Sequence, residues 1–274
     1  MEYFGNRERA ESFGEAAQDY DAYRPKYPAA LITAIMEAAA QGAGSRTDGS
    51  PTPSDHPRSG TPRILDVGSG TGILAAQLRA AGAEILAVEP DPEMAAVARA
   101  KGLDVEVSGF EEWTSHSRTF DLISFGQSFH WVDPMTALPR IRALLKPGGR
   151  LALAWNDIEP KGELRTRLDA IAARFHAEGT STSLGTAGGD DNFEPVEHPA
   201  LQQLRTCGFT ADETTFAEDL HYSKHDWLSM VFTYSAQLTM DPVKRAVMRE
   251  EVSAEIPDDG LEARNEALLI LTRG

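Results

Sequence analysis

The chain has 274 residues, 41% hydrophobic and 25% charged, the values of a soluble globular protein. Its 26 Lys and Arg stand against 42 Asp and Glu, a net charge of −16 with no basic cluster. That charge excludes nucleic acid and anionic membrane surfaces from the expected partners. A single cysteine, Cys207, rules out an internal disulfide framework and reads as a small buried hydrophobe. No stretch approaches the roughly 18 apolar residues of a membrane span, and the opening MEYFGNRERAESFGEAAQDY lacks a signal peptide's apolar core, so a cytoplasmic protein is expected.

In chain order, PAALITAIMEAAA at 28–40 has apolar residues at helical spacing, with Pro28 at its start. Residues 41–62, rich in Gly, Ser, Pro, Thr and Asp, predict a mobile loop. A regular rhythm follows. RILDV is a short strand, GILAAQLRAAG a helix ending at Gly82, and EILAVE a second strand. DPEMAAVARAKG is a helix with Asp91 as N-cap and Pro92 in its first turn. LDVEV and TFDLISF are the third and fourth strands, DPMTALPRIRALLKPGG a helix opened by Asp133 and Pro134, and RLALAW the fifth strand. Strands alternating with helices imply right-handed crossovers and a parallel sheet covered on both faces.

From about residue 157 the rhythm breaks. The pattern predicts helices at 161–178, 199–207, 224–236 and 241–255, a loop at 179–195, a strand at 214–220 and a last strand in EALLILTRG. The expected organisation is a lid and helix at 1–40, the loop at 41–62, an α/β core at 63–156, and a C-terminal part at 157–274 carrying a helical cap and the final strands.

Five features carry chemistry. In LDVGSGTG, glycines 68, 70 and 72 lie between a strand and a helix, where backbone N–H groups can approach a ligand with no Cβ in the way. A dinucleotide fingerprint would need a glycine at 73, which is Ile73, and no P-loop pattern occurs. Glu89 ends the second strand, placed either to accept both hydroxyls of a ribose or to sit as a carboxylate at a helix start. After the third strand, Phe110 is either a platform for an adenine, with Glu111 or Glu112 at its rim, or a core aromatic beside solvated acids. Finally GQSFHW, residues 126–131, leaves the carboxyl end of the fourth strand, the place where α/β proteins put their chemistry. There His130 is either a general base or a pocket wall packed on Trp131. Tyr20, Tyr23 and Arg24 read as a lid whose arginine pairs a carboxylate, or as a helix on the sheet edge. His221 and His225 straddle a strand-to-helix junction, and no metal site is expected.

Taken together, LDVGSGTG, AVEP, FDLISFGQSFHWVD and LLKPGGRLALAWN resemble the motifs of class I S-adenosylmethionine-dependent methyltransferases. More narrowly they resemble the small-molecule branch that includes the trans-aconitate methyltransferases (type 11-like), whose N-terminal lid segment is similar to YDAYRPKYP at 20–28. The resemblance covers about residues 10–156 and is specific for the cofactor rather than the acceptor. It implies a Rossmann-like α/β fold: a seven-stranded, mostly parallel sheet with an antiparallel last strand, helices on both faces and a helical cap. It also implies roles. Asp66, Gly68, Ser69, Gly70 and Gly72 would hold the methionine portion of S-adenosyl-L-methionine, Glu89 and Pro90 the ribose, and Met94 the adenine. The Phe110 backbone and Glu111 would meet the adenine edge, while Gly109 stands where many relatives carry an Asp for the adenine amino group. Tyr20 and Arg24 would close over the cofactor, and Gln127 and Ser128 would sit nearest the sulfonium. Ser128, Phe129, His130 and Trp131 would wall the acceptor pocket, with His130 the candidate catalytic residue and Arg165 or Arg174 further sources of positive charge. The implied activity is O-methylation of a small molecule, at a carboxylate or hydroxyl, by a monomer or homodimer; the alternative is a cofactor-binding sensor or scaffold without turnover.

Overall fold

The computed structural model of the protein describes residues 16–42, 60–175 and 197–273. The expected loop at 179–195 and most of that at 41–62 lie outside them. Short apolar runs bounded by glycines become the sheet interior. β1 (Arg63–Val67), β2 (Glu84–Glu89), β3 (Asp104–Val107), β4 (Phe120–Gly126) and β5 (Leu145–Trp155) are all parallel to one another. The order across the sheet is β3-β2-β1-β4-β5, so the chain reverses direction of travel between β1 and β4 and opens a crevice at their carboxyl ends. β4 is buried at every position up to Phe125, as a central strand covered on both faces must be.

β8 (Leu261–Thr272) runs antiparallel beside β5, and β7 (Ala211–Tyr222) pairs with β8 along its whole length. A short eighth strand, β6 (Ile158–Pro160), was not expected. It continues β5 along the same edge of β8 in one register, Trp155 facing Leu268 and Ile158 facing Asn265. The sheet is therefore seven strands wide with eight strands in it. β8 also starts earlier than its apolar tail predicts. Its first half alternates buried Leu261, Ala263, Asn265 and Ala267 with exposed Glu262, Arg264 and Glu266, a period-two pattern whose inner face carries little hydrophobicity.

Two apolar layers cover the sheet. On one face α2 (Ala29–Gly42), α3 (Ile73–Ala80) and α4 (Pro92–Ala100) bring Leu31, Ile35, Leu74 and Leu78 against Ile64 and Leu122. On the other, α5 (Pro134–Leu144) and α7 (Pro199–Thr206) bring Leu138, Ile141 and Leu204 against Leu65 and Ile123. The expected caps form: Asp91 accepts the Glu93 and Met94 amides at 2.8 and 3.1 Å, and Asp133 accepts Met135 N–H at 3.0 Å.

A third apolar cluster forms the cap beyond β5. There α6 (Glu163–Phe175), α8 (Lys224–Val231) and α10 (Pro242–Glu255) surround Trp227 with Leu168, Ile171, Met248 and Val252. Tyr23 of α1 (Ala17–Tyr23) and Tyr234 pack on this cluster, joining the N-terminal segment to the cap. The helix expected at 224–236 breaks at 232–234, before the short α9 (Ser235–Leu238). Among the described residues no helix is long and apolar enough to cross a membrane.

Candidate functional site

The turn between β1 and α3 is built from three left-handed glycines, with φ of +62° at Gly68, +55° at Gly70 and +80° at Gly72. At Gly68 a side chain meets a second obstacle, because an added Cβ would stand 2.6 Å from the Ser128 Cβ. The turn is thus pressed against the loop that follows β4. Gly68 and Ser69 donate their amides to Val88 O of β2 at 2.8 and 3.2 Å. The Ser69 and Thr71 hydroxyls are buried without a hydrogen-bond partner among the described residues.

Two buried carboxylates flank this turn. Glu89 accepts Gly70 N–H at 2.7 Å and Asp91 N–H at 3.0 Å, so it ties the glycine turn to the start of α4. Burial pushes its carboxyl up to about 7, against the lowering effect of those two amides. Asp66, at the end of β1, accepts the Ser124 hydroxyl at 2.7 Å and is likewise raised to about 7 by burial. Met94 is buried, with its Cε 3.6 Å from where a Gly70 Cβ would lie, and Pro90 is exposed between the two acids of its turn.

After β3 the two readings of Phe110 separate. Its ring is 4% exposed and meets Phe125 edge-on at 5.9 Å, with the Arg140 guanidinium 5.2 Å from its centre. The side chain is core, and only its backbone is left for a ligand. Glu111 is exposed, and the carboxylate of neighbouring Glu112 fills the space a Gly109 Cβ would need.

The loop after β4 divides into supports and exposed rings. Gln127 is left-handed at φ +59° and is held there from both ends: its N–H donates to Ala154 O at 2.8 Å, and its Nε2 donates to Asn156 O at 2.9 Å. Ser128 donates to Val67 O at 2.6 Å. Phe129, expected in the pocket wall, is instead 2% exposed and packs edge-on against Phe125 at 5.3 Å, because the short 3-10 turn Phe129–Trp131 points its first ring inward. His130 and Trp131 are half-buried, with ring centres 4.8 Å apart.

Above the crevice, the Arg24 guanidinium lies 4.6 Å from the Tyr20 ring centre and 3.8 Å from that of Tyr234. Its Nε donates to Thr233 Oγ1 at 2.9 Å and its Nη2 to Thr233 O at 3.1 Å. Tyr27 is buried, its hydroxyl raised well above the ordinary value by burial, then by Tyr20 and Asp66. That hydroxyl stands 2.9 Å from a would-be Cβ on Gly126. Arg165 and Arg174, expected to lend charge to the pocket, are spent elsewhere: Arg165 on Glu159 at 2.7 Å, Arg174 on Glu251. His221 faces Glu262 at 2.9 Å and His225 meets Tyr23 Oη at 3.0 Å, so the two histidines have separate partners.

A family model described as a methyltransferase domain matches residues 20–198. The chain belongs to this methyltransferase family. An uncharacterised methyltransferase of Mycobacterium tuberculosis is 36% identical over 152 residues, 55% of this chain and 54% of the relative. The chain thus spans about half the length of the mycobacterial relatives it matches. An uncharacterised methyltransferase-like protein of Schizosaccharomyces pombe is 27% identical over 214 residues, 77% of this chain and 75% of that one. Among solved structures, a candidate type II methyltransferase from Anaeromyxobacter dehalogenans superposes with a TM-score of 0.60 at 18% identity, covering 92% of this chain and 98% of that one, a likeness of fold.

The methyltransferase match begins at Tyr20 within α1, takes in the glycine turn, Glu89 and the loop after β4, and stops short of Thr233 and Tyr234. Those two, with Tyr27 and Asn156, are the site residues that pattern reading missed. Asn156 is 3% exposed; its Oδ1 accepts from Asn265 Nδ2 at 3.0 Å, and its Nδ2 donates to Pro25 O and Lys26 O, each at 3.4 Å. It pins the N-terminal segment to the same backbone that holds Gln127. Its signal, an Asn where β5 stops, is legible only once β8 is known to supply Asn265.

Proposed function

We propose that this methyltransferase-family chain moves a methyl group from S-adenosyl-L-methionine to an oxygen of a small molecule. One observation carries the reading: the Glu89 carboxylate accepts Gly70 N–H at 2.7 Å, at the carboxyl edge of the sheet where β1 and β4 part. A carboxylate has about four acceptor sites, and two on Glu89 are used, which leaves two for a ribose diol. The residues also fit the rest of the cofactor. Three glycines offer backbone amides without Cβ atoms, and the buried Ser69 hydroxyl has no partner of its own among the described residues. Asp66, tied to the Ser124 hydroxyl, lies two residues before the turn, and Met94 and the Phe110 backbone would border the adenine, with Pro90 beside them. Glu112, rather than Glu111, stands over Gly109, so its carboxylate replaces the aspartate that the resemblance would place there.

Bound there, the cofactor would supply a methyl group on positive sulfur, whose C–S pair would stay with sulfur when an acceptor oxygen takes the methyl. What remains for the protein is alignment at about 3 Å and exclusion of water. Gln127 and Ser128 shape the floor, with Ser128 locked to Val67 O. His130 and Trp131 face the acceptor, and Tyr20 and Arg24 close the other side. An ionised carboxylate acceptor, as the likeness to trans-aconitate methyltransferases favours, needs no base; a hydroxyl would need His130. A homologue named as an O-methyltransferase of ubiquinone biosynthesis, from Xanthomonas oryzae, is 36% identical over 100 residues, 34% of this chain and 42% of that protein, which supports oxygen as the accepting atom. Isothermal calorimetry with S-adenosylhomocysteine tests the cofactor reading: a saturable one-to-one isotherm is expected, and a flat titration of folded protein would contradict it.

A further inference from the structure

The cations of this acidic chain are mostly spoken for. At the amino end of the sheet, Lys146 holds Asp121 at 2.9 Å, Arg273 pairs Asp212, and Arg142 donates to Cys207 O at 2.9 Å. In the cap, Arg165 and Arg174 are paired with carboxylates. Arg24 is half-buried and sandwiched between two tyrosine rings, and, like Arg142, it has no ion pair among the described residues.

The way Arg24 is held leaves one face of it for a ligand. A guanidinium presents five N–H donors as two forks, one along its side (Nε with Nη2) and one at its end (Nη1 with Nη2). Thr233 takes the side fork with its hydroxyl and its carbonyl. That hydroxyl in turn donates to Met230 O at 2.6 Å, which fixes its lone pairs towards Nε. Thr233 is 2% exposed, so this mount is rigid. The end fork, which matches the two oxygens of a carboxylate, keeps its donors. The Tyr234 ring stacks 3.8 Å from the guanidinium, and its hydroxyl is buried with no hydrogen-bond partner among the described residues, a cost of about 1–3 kcal/mol unless a ligand meets it. One cation with one hydroxyl suits a monoanion; a phosphate dianion in a chain of charge −16 would call for more positive charge.

We infer that Arg24 and Tyr234, on the mount made by Thr233, form the anchoring subsite for a carboxylate group of the methyl acceptor. The inference rests on the methyltransferase reading and names the substrate class of that site. The acceptor rather than the cofactor is assigned because Arg24 is mounted on Thr233 of the cap, and the residues that follow it, Pro25 and Lys26, are held by their carbonyls to Asn156, just past the end of β5. β5 lies two strands from the glycine turn on β1, about 10 Å across the sheet.

The test loads wild-type, Arg24→Gln and Tyr234→Phe proteins with S-adenosylhomocysteine and titrates each with fumarate, trans-aconitate, benzoate and octanoate. The matching amides serve as controls, and ligand-observed NMR reads the binding. At least one carboxylate should bind the wild-type complex while its amide does not. Its Kd should rise at least tenfold in Arg24→Gln and several-fold in Tyr234→Phe. Affinities for S-adenosylhomocysteine and for 5′-methylthioadenosine, which lacks the carboxylate, locate the anion: a loss in Arg24→Gln confined to S-adenosylhomocysteine would assign Arg24 to the cofactor and overturn the inference. No carboxylate binding to the wild-type complex, or equal binding in both variants, would overturn it as well. Failure of wild-type protein to bind S-adenosylhomocysteine at all would bring down the methyltransferase reading, and this inference with it.

Discussion

Glu89 accepts the Gly70 amide at 2.7 Å, so the acid that ends β2 and the glycine turn that leaves β1 form one unit. The sheet brings them together because β1 and β2 are parallel neighbours in register, Val67 beside Val88. A residue 19 positions away thereby fixes the backbone that would meet the cofactor. It also means that an acid expected to bind a ligand is a structural support of the turn.

Replacement of Glu89 by Ala should therefore act twice. Two charge-assisted hydrogen bonds to ribose, each worth about 1.5–3 kcal/mol, are removed, and the Gly70 amide loses its partner. Calorimetric affinity for S-adenosylhomocysteine should fall at least tenfold with the circular dichroism spectrum retained. Unchanged affinity would mean that the acid serves the turn alone.

Gly68 should tolerate no side chain. Its φ of +62° costs an L-residue about 1–2 kcal/mol, and an added Cβ lies 2.6 Å from Ser128 Cβ. Gly68→Ala should lose at least about 2 kcal/mol in urea unfolding, and adding Ser128→Gly should restore the part due to the collision. A loss below about 0.5 kcal/mol, within the range of ordinary surface changes, would contradict the close approach of the two loops.

The contribution of Asp66 and Glu89 to stability should fall as pH rises from about 4 to about 7. Burial raises Asp66 and Glu89 from ordinary values of 3.8 and 4.5 to about 7, so in this window the folded chain keeps protons that the unfolded chain has released. The contribution is therefore lost on the alkaline side. Asp66→Asn, which still accepts from Ser124, should gain about 1–3 kcal/mol over wild type at pH 8 relative to the same comparison at pH 5. Equal differences at both pH values would show that Asp66 is not the group responsible.

His130 separates the two kinds of acceptor. With a carboxylate, His130→Asn should keep most of the turnover, and any loss should appear in KM for the acceptor. With a hydroxyl, the rate should drop by about 10²–10⁴, and the pH profile should lose its alkaline-rising limb. Transfer to an ionised carboxylate, the acceptor favoured above, predicts the first outcome.

The half of the molecule with strong periodicity was legible in advance. RILDV and EILAVE are strands with those bounds, and Asp91 and Asp133 cap the helices they precede. Local physics decides such features, and local sequence shows it. What was not legible depends on contacts distant in sequence. β6 exists because β8 continues past Trp155 in an unbroken register, and Phe129 turns inward because Phe125 offers it an edge. Arg24 stood out in the sequence together with Tyr20 and Tyr23, but its mount lies 209 residues further on, in a Thr-Tyr pair with no pattern of its own. The glycine turn was visible as composition; that Ser128 presses on it was not.

The central claim is transfer of a methyl group to a small molecule, and it is met most directly by one measurement. The protein is incubated with methyl-labelled S-adenosyl-L-methionine and a cell extract, and the label is followed after separation into metabolites and macromolecules. The account predicts label in the small-metabolite fraction as a base-labile methyl ester, and its absence with Arg24→Gln protein. Label confined to protein or nucleic acid, or cofactor binding with no transfer to any fraction, would contradict it.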